Sequence, residues 1–299
     1  MQTPPGKNLR QAHSLFSFTR DSFIAGRNFF ANSWKQCSHG AVSPCPTRTP
    51  RHREAATASW RLFAEQEMKL SRKVLKFTKP LTYRRGWRRA QRSIFRIPLQ
   101  PMLAKIDEAR AREIQERYAN STAGYAKYAN IDPWLRLNRE RVQDLKLHRS
   151  EPKRVLDLGC GGGFFLFIAK NLGHSVQGLD IEHVVLFTEL LELFGVPRVV
   201  WRISAFEPLP NLGQKFDWIT AFSTNFYLYH PSKERWGTAE WDFFLGDLRQ
   251  HLAPGGKIFF GLNPLYSGDY YTPELRDLFI SRGADVERER ILFDNGVRF

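Results

Sequence analysis

The sequence predicts a doubly wound α/β protein: a mostly parallel, seven-stranded sheet with helices on both faces. Three observations carry this. Short apolar strand-like runs alternate with helix-length amphipathic segments after residue 150. A glycine-rich turn falls directly between the first strand and its helix. The chain of 299 residues is long enough to bury an extensive core.

The elements follow in order. Arg154–Leu158 reads as a buried strand, and the glycine turn leads into an apolar helix over Phe164–Leu172. Ser175–Leu179 is the second strand, followed by a helix over His183–Phe194. Val199–Ile203 and Phe216–Phe222 are the third and fourth strands. The helix Glu240–Leu252 places Trp241, Phe244, Leu245, Leu248 and Leu252 on one face. Pro254-Gly255-Gly256 then turns the chain into a strand over Lys257–Leu262. A last helix covers Pro273–Arg282. Strands over Ala284–Phe293 and Val297–Phe299 flank Asn295-Gly296, a dipeptide that favours an antiparallel hairpin.

Ahead of this body, residues 102–150 read as a helical lid. Leu103, Ile106, Ile114 and Tyr118 share one third of a helical wheel. A second helix is expected from Asp132 as N-cap and Pro133 at the first helical position, running to about Leu147. Tyr118, Tyr125 and Tyr128 either roof a ligand site or pack on helix faces.

Charge divides the chain further. The net +15 is uneven: residues 1–100 hold 20 Lys/Arg and 4 Asp/Glu, the remainder 25 and 26. The body is therefore nearly neutral, and the basic charge belongs to the front. Residues 1–67, with the proline-rich Ser38–Arg53 and the apolar, basic Leu15–Phe30, read as a disordered or transit-like extension, or as sequence ahead of a true start at Met68. Residues 68–101 form a basic arm. Its stretch 68–100 carries eleven Lys/Arg and no acid, interleaved with Phe77, Tyr83, Trp87, Ile94 and Phe95. Such a run is either a solvated, partly disordered segment or a patch for RNA or an anionic membrane surface.

No uninterrupted apolar run reaches the roughly 18 residues of a membrane span. The three cysteines, Cys37, Cys45 and Cys160, do not make a disulfide framework and suit a reducing compartment, which points to the cytoplasm, or to the mitochondrion if the front is a transit peptide. Cys37-x-His39 with Cys45 lacks a second half-site, so no metal centre is expected.

The chemistry concentrates in Val155-Leu156-Asp157-Leu158-Gly159-Cys160-Gly161-Gly162-Gly163. Glycines at 159, 161 and 163 let the backbone turn tightly and admit a ligand against the main chain. Asp157 stands two residues before the first of them. Asp180 ends the next strand, seventeen residues after Gly163, close to the spacing at which an acid meets ribose hydroxyls. Few positive charges line this loop, whereas a pyrophosphate prefers donors and cations.

At these residues the sequence resembles the class I S-adenosylmethionine-dependent methyltransferases, whose Asp-x-Gly-x-Gly-x-Gly signature is matched by Asp157, Gly159, Gly161 and Gly163. The resemblance continues through Asp180, Phe216-Asp217 and Leu252-Ala253-Pro254-Gly255-Gly256, and covers about residues 115–299. It implies a Rossmann-like domain over residues 151–299 that binds S-adenosylmethionine. The turn at Gly159, Cys160, Gly161 and Gly163 would pass beneath the methionine moiety, with Asp157 near its amino end. Asp180 would take the ribose hydroxyls. Ile181 would touch the adenine, with Ala205 or Phe206 at its border.

Methyl transfer needs in-line placement of the acceptor more than an elaborate catalytic set. The acceptor side is expected from Ser223–Trp241, longer than the family's usual connection and rich in aromatic and titratable groups: Asn225, Tyr227, Tyr229, His230, Glu240 and Trp241. His230 is either a general base or an ordinary surface or packing residue. Glu240 is also explained as charge at a helix N-terminus. A small-molecule or lipid-linked acceptor fits the neutral body. The rivals are RNA or protein held by the basic arm, and a non-catalytic cofactor-binding scaffold.

Overall fold

A computed structural model describes residues 80–228, 234–265 and 267–299. It separates into two units, one ending at Ile94 and one spanning Phe95–Phe299. The expectations for residues 1–67, and for the arm as far as residue 79, lie outside the described residues. The described part of the first unit is a single helix, α1 (Pro80–Ile94). Within the partly disordered arm expected over residues 68–101, this stretch is therefore helical. Tyr83, Trp87, Ala90 and Ile94 recur at helical spacing, a signal that the density of arginines masks in a composition reading.

In the second unit, α2 (Gln100–Leu103) and α3 (Glu108–Tyr118) replace one expected helix. The side chain of Asp107 caps α3, accepting from the backbone N–H of Arg110 at 3.0 Å. The next helix, α4 (Ile131–Asp144), begins one residue before Asp132, so Pro133 sits in the first turn, where its missing N–H costs nothing. Lys146 adopts a left-handed conformation just after α4. The chain continues through a 3-10 turn, Leu147–Arg149, so the helix ends three residues before the expected Leu147.

The sheet follows as β1 (Arg154–Leu158), α5 (Phe164–Asn171), β2 (Ser175–Asp180), α6 (Val185–Phe194), β3 (Arg198–Val200) and β4 (Phe216–Phe222). It continues as α7 (Thr238–His251), β5 (Leu252–Gly261), α8 (Pro273–Ser281), β6 (Asp285–Glu287) and β7 (Arg290–Phe293). The strand order is β3-β2-β1-β4-β5-β7-β6, and β7 alone runs against the others. The hairpin expected about Asn295-Gly296 is replaced by one within the single strand expected over Ala284–Phe293, where β6 and β7 pair antiparallel about Arg288-Glu289. Arg288 takes the left-handed φ of 50° there, and beyond β7 Gly296 makes only an isolated bridge with Asp294. At β5, Pro254-Gly255-Gly256 is absorbed as an irregularity: Phe216 pairs with Leu252, whereas Trp218 pairs with Lys257.

Strand periodicity assigns the two faces. Val155, Trp218 and Phe259 face a core with Ile114, Leu135 and Val142 of the lid and Phe164–Ala169 of α5. Leu156, Leu158, Ile219, Ala221, Ile258 and Phe260 face the other core, with Phe244, Leu245, Leu248 and Phe279. Asp217, which opens β4, accepts from the Arg154 backbone N–H at 2.8 Å and from both ends of its guanidinium at 3.1 Å. That contact staples β1 to β4 at the edge of the sheet away from the glycine turn.

Candidate active site

Strand order reverses between β1 and β4, and in open parallel sheets ligands enter at the carboxyl ends of strands beside such a reversal. The glycine turn leaves β1 at that edge. Gly159, Gly161 and Gly163 all have positive φ (69°, 53° and 74°). The Gly159 N–H donates to the Leu179 carbonyl at 2.7 Å, binding the turn to β2. A Cβ on Gly163 would lie 2.6 Å from Leu191 Cδ2, so this glycine also lets α6 approach.

Asp157 and Thr220 are register partners on β1 and β4 and share a face. The Thr220 hydroxyl donates to Asp157 Oδ1 at 2.7 Å. Asp157 is 4% exposed. Burial pushes its carboxyl up to about 7, against the opposing pull of the Thr220 hydrogen bond and the Arg141 guanidinium. Arg141 comes from the lid helix α4. Its Nη1 donates to Asn138 Oδ1 at 3.0 Å and its Nη2 to Ser223 Oγ at 3.2 Å, and its Cζ sits 4.6 Å from the Phe222 ring centroid. Ser223 has a left-handed φ of 58°, which turns the chain sharply off β4. Sequence reading missed both Thr220 and Arg141. Neither carries a local motif, and only strand register and lid packing bring them to Asp157.

Asp180 lies at the end of β2. Its Oδ2 accepts from the Gly161 N–H at 2.6 Å and its Oδ1 from the Ile181 N–H at 2.8 Å. Burial raises its carboxyl too, opposed by those two backbone donors. Each oxygen keeps lone-pair capacity for a further donor. Ile181 and Ala205 are half-buried, Ala205 against the second core. Phe206 is 53% exposed with φ 59°, and its ring meets Phe243 edge-on at 5.9 Å.

Cys160 is buried. Its Sγ occupies the space a Cβ on Gly178 would take, 2.5 Å away, and burial raises its thiol well above the usual range. The thiol is therefore a packing group, and the turn offers its backbone.

Over the turn, the Phe187 ring lies 3.9 Å from where a Gly161 Cβ would stand. Tyr128 packs edge-on against Phe187 at 5.3 Å and tilted against Trp134 at 4.3 Å. The lid thus reaches the glycine turn through Tyr128, while Tyr118 and Tyr125 pair edge-on with each other. Arg110 and Arg117 of α3 both engage the buried Glu189 of α6, which holds the lid to the body.

The segment after β4 separates the residues expected to line the acceptor side. Leu228 N–H donates to the Glu234 carbonyl and Trp236 N–H to the Phe226 carbonyl, forming a small antiparallel excursion. Phe226, Trp236 and Trp241 are buried and pack tilted or edge-on against Phe244, so Trp241 is core. Glu240 accepts from the Gly237 N–H at 2.9 Å and caps α7. Asn225 Oδ1 accepts from Asn263 Nδ2 at 3.2 Å, and Arg235 holds the Asn263 and Pro264 carbonyls. Tyr227 is half-buried and bridges Arg235. Tyr229 and His230 lie outside the described residues.

The donor set suits an adenosyl amino acid. The paired carboxylates match an ammonium group and a diol, and the glycine cradle admits an extended ligand against the backbone. This fold, with this turn at its reversal point, resembles the class I S-adenosylmethionine-dependent methyltransferases. Residues 155–256 match the family model described as a methyltransferase domain.

The tRNA U34 carboxymethyltransferase of Campylobacter hominis is 30% identical over 109 residues, 36% of this chain and 35% of that protein. A ubiquinone biosynthesis O-methyltransferase of Nitrosococcus oceani is 28% identical over 127 residues, 42% of this chain and 50% of that protein. The solved structure of Streptomyces venezuelae DesVI aligns with a TM-score of 0.42 at 14% identity, covering 65% of this chain and 99% of that one. This chain thus spans half or less of the length of the two curated relatives.

Proposed function

We propose that the chain transfers the methyl group of S-adenosylmethionine to a small-molecule or lipid-linked nucleophile. The observation that carries this reading is the pair of acids, buried Asp157 and half-buried Asp180, set on either side of a three-glycine turn at the strand reversal. Bound there, S-adenosylmethionine supplies an electrophilic methyl on a sulfonium centre.

The chain's residues take the following parts. Gly159, Cys160, Gly161 and Gly163 present backbone to the methionine end, and Asp157 accepts from its ammonium. Arg141 complements the carboxylate at that same end. Asp180 accepts from the ribose hydroxyls, and Ile181, Ala205 and Phe206 border the adenine. Asn225, Asn263 and Arg235, at the ends of β4 and β5, face the acceptor. His230 takes the proton where the acceptor carries one.

The near-neutral body over residues 101–299 favours an acceptor that is not a polyphosphate. An anionic partner, RNA or membrane, falls to the basic arm over residues 68–100, and a reducing compartment such as the cytoplasm suits the three cysteines. Among the described residues no helix is long and apolar enough to cross a membrane.

Mass-spectrometric screening of metabolite extracts tests the reading. A product gaining one methyl group, formed only with protein and S-adenosylmethionine together, supports it. Cofactor binding without any methylated product across polar and lipid extracts favours the scaffold reading instead.

A further inference from the structure

We infer that α1 is an interfacial helix that lays one face on an anionic phospholipid surface. This goes beyond the methyltransferase reading and does not rest on it. At 100° per residue, Tyr83, Trp87, Ala90 and Ile94 fall within a stripe about 60° wide. Their side chains are bare: Tyr83 is 62% exposed, Trp87 65% and Ile94 69%. The helix carries five arginines and no Asp or Glu, and Arg84, Arg88, Arg89 and Arg92 point away from the stripe.

Segregation decides between the two anionic partners. A nucleic-acid surface uses aromatics set among the cations, so that bases stack while phosphates pair. In α1 Tyr83, Trp87 and Ile94 occupy a face apart from the arginines, and Ile94 at the end of the stripe has no stacking role. Indole and phenol rings favour the headgroup boundary, where one end of the ring is dry and the other wet. Arginine stems can lie along apolar surface while their heads reach lipid phosphates. A helix of 15 residues spans roughly 22 Å at about 1.5 Å per residue, too short and too charged to cross a bilayer, so it lies in the plane. Docking would set the body beside a lipid-linked acceptor, though the surface itself requires no such substrate.

The test is sedimentation of the full chain with vesicles of phosphatidylcholine alone and of phosphatidylcholine mixed with phosphatidylglycerol. Binding to the mixed vesicles should exceed binding to the neutral ones by at least about tenfold, and added salt should weaken it. Trp87→Glu and Tyr83→Glu should each reduce it by at least about tenfold. Ser93→Glu changes charge equally but lies off the stripe, and should cost only about fivefold. All three variants should bind S-adenosylhomocysteine as the parent does, which separates this surface from the cofactor site. Equal binding to both vesicle types would overturn the inference. So would Trp87→Glu matching Ser93→Glu, or binding of single-stranded RNA that is tighter than binding to the mixed vesicles and equally sensitive to Trp87→Glu.

Discussion

Thr220 donates its hydroxyl to Oδ1 of Asp157 across the β1–β4 pairing, inside a site where Asp157 is almost wholly buried. A carboxylate in that position is costly, and the hydroxyl with the Arg141 guanidinium offsets part of the cost. Thr220→Val preserves shape and removes the donor. It should destabilise the protein by about 1.5–3 kcal/mol above pH 8, where Asp157 is ionised, and by clearly less near pH 5. Urea unfolding at the two pH values measures this. An equal loss at both would mean that the hydroxyl is not supporting the charge.

The same carboxyl makes ligand binding depend on pH. Its folded value, about 7, exceeds that of an unfolded aspartate, so the folded state holds the extra proton between roughly pH 4 and 7. Its contribution to the stability of the free protein therefore falls as pH rises through that window, then levels off. Binding of an ammonium group should do the opposite, strengthening up to about tenfold per unit until pH passes 7. Calorimetry with S-adenosylhomocysteine should show this in the parent, and a flattened dependence in Asp157→Asn. A parent profile flat from pH 5.5 to 8 would contradict it.

Glycines of equal φ should differ in cost. Gly163 and Gly255 have φ of 74° and 70°, yet a Cβ on Gly163 meets Leu191 whereas one on Gly255 meets nothing within 4 Å. Gly255→Ala should cost about 1–2 kcal/mol from the left-handed backbone alone, and Gly163→Ala about 2–5 kcal/mol with the overpacking added. Comparable thermal shifts for the two would show that α6 yields freely to the new methyl.

Arg141 links lid and body without belonging to either motif. Arg141→Lys keeps the charge but loses the two-armed contact to Asn138 and Ser223. Cofactor affinity should fall about tenfold with little change in thermal stability. An unchanged affinity would remove Arg141 from the site.

These residues also mark what was legible in the sequence. β1 and β4 fall at their expected bounds, because each is a dense apolar run closed by charge or by a turn residue. The turn glycines and Asp180 were readable because their chemistry is local: a tight backbone and an acid at a strand end. β3 is shorter than expected, since only Arg198–Val200 pair with β2 before the chain leaves the sheet. Of the aromatics expected at the acceptor side, Trp241 fills the core beside Phe226 and Trp236, and aromatic content alone does not distinguish the two uses. Thr220 and Arg141 meet Asp157 over separations of 63 and 16 residues, and no local pattern announces such a meeting.

The central claim is that the acids flanking the glycine turn hold S-adenosylmethionine, and Asp180 tests it most directly. Titration of S-adenosylmethionine into the full chain by calorimetry should give saturable one-to-one binding, weakened at least about a hundredfold in Asp180→Ala as a charge-assisted bidentate contact is lost. Absence of binding to the parent, or unchanged affinity in a folded Asp180→Ala, would contradict it.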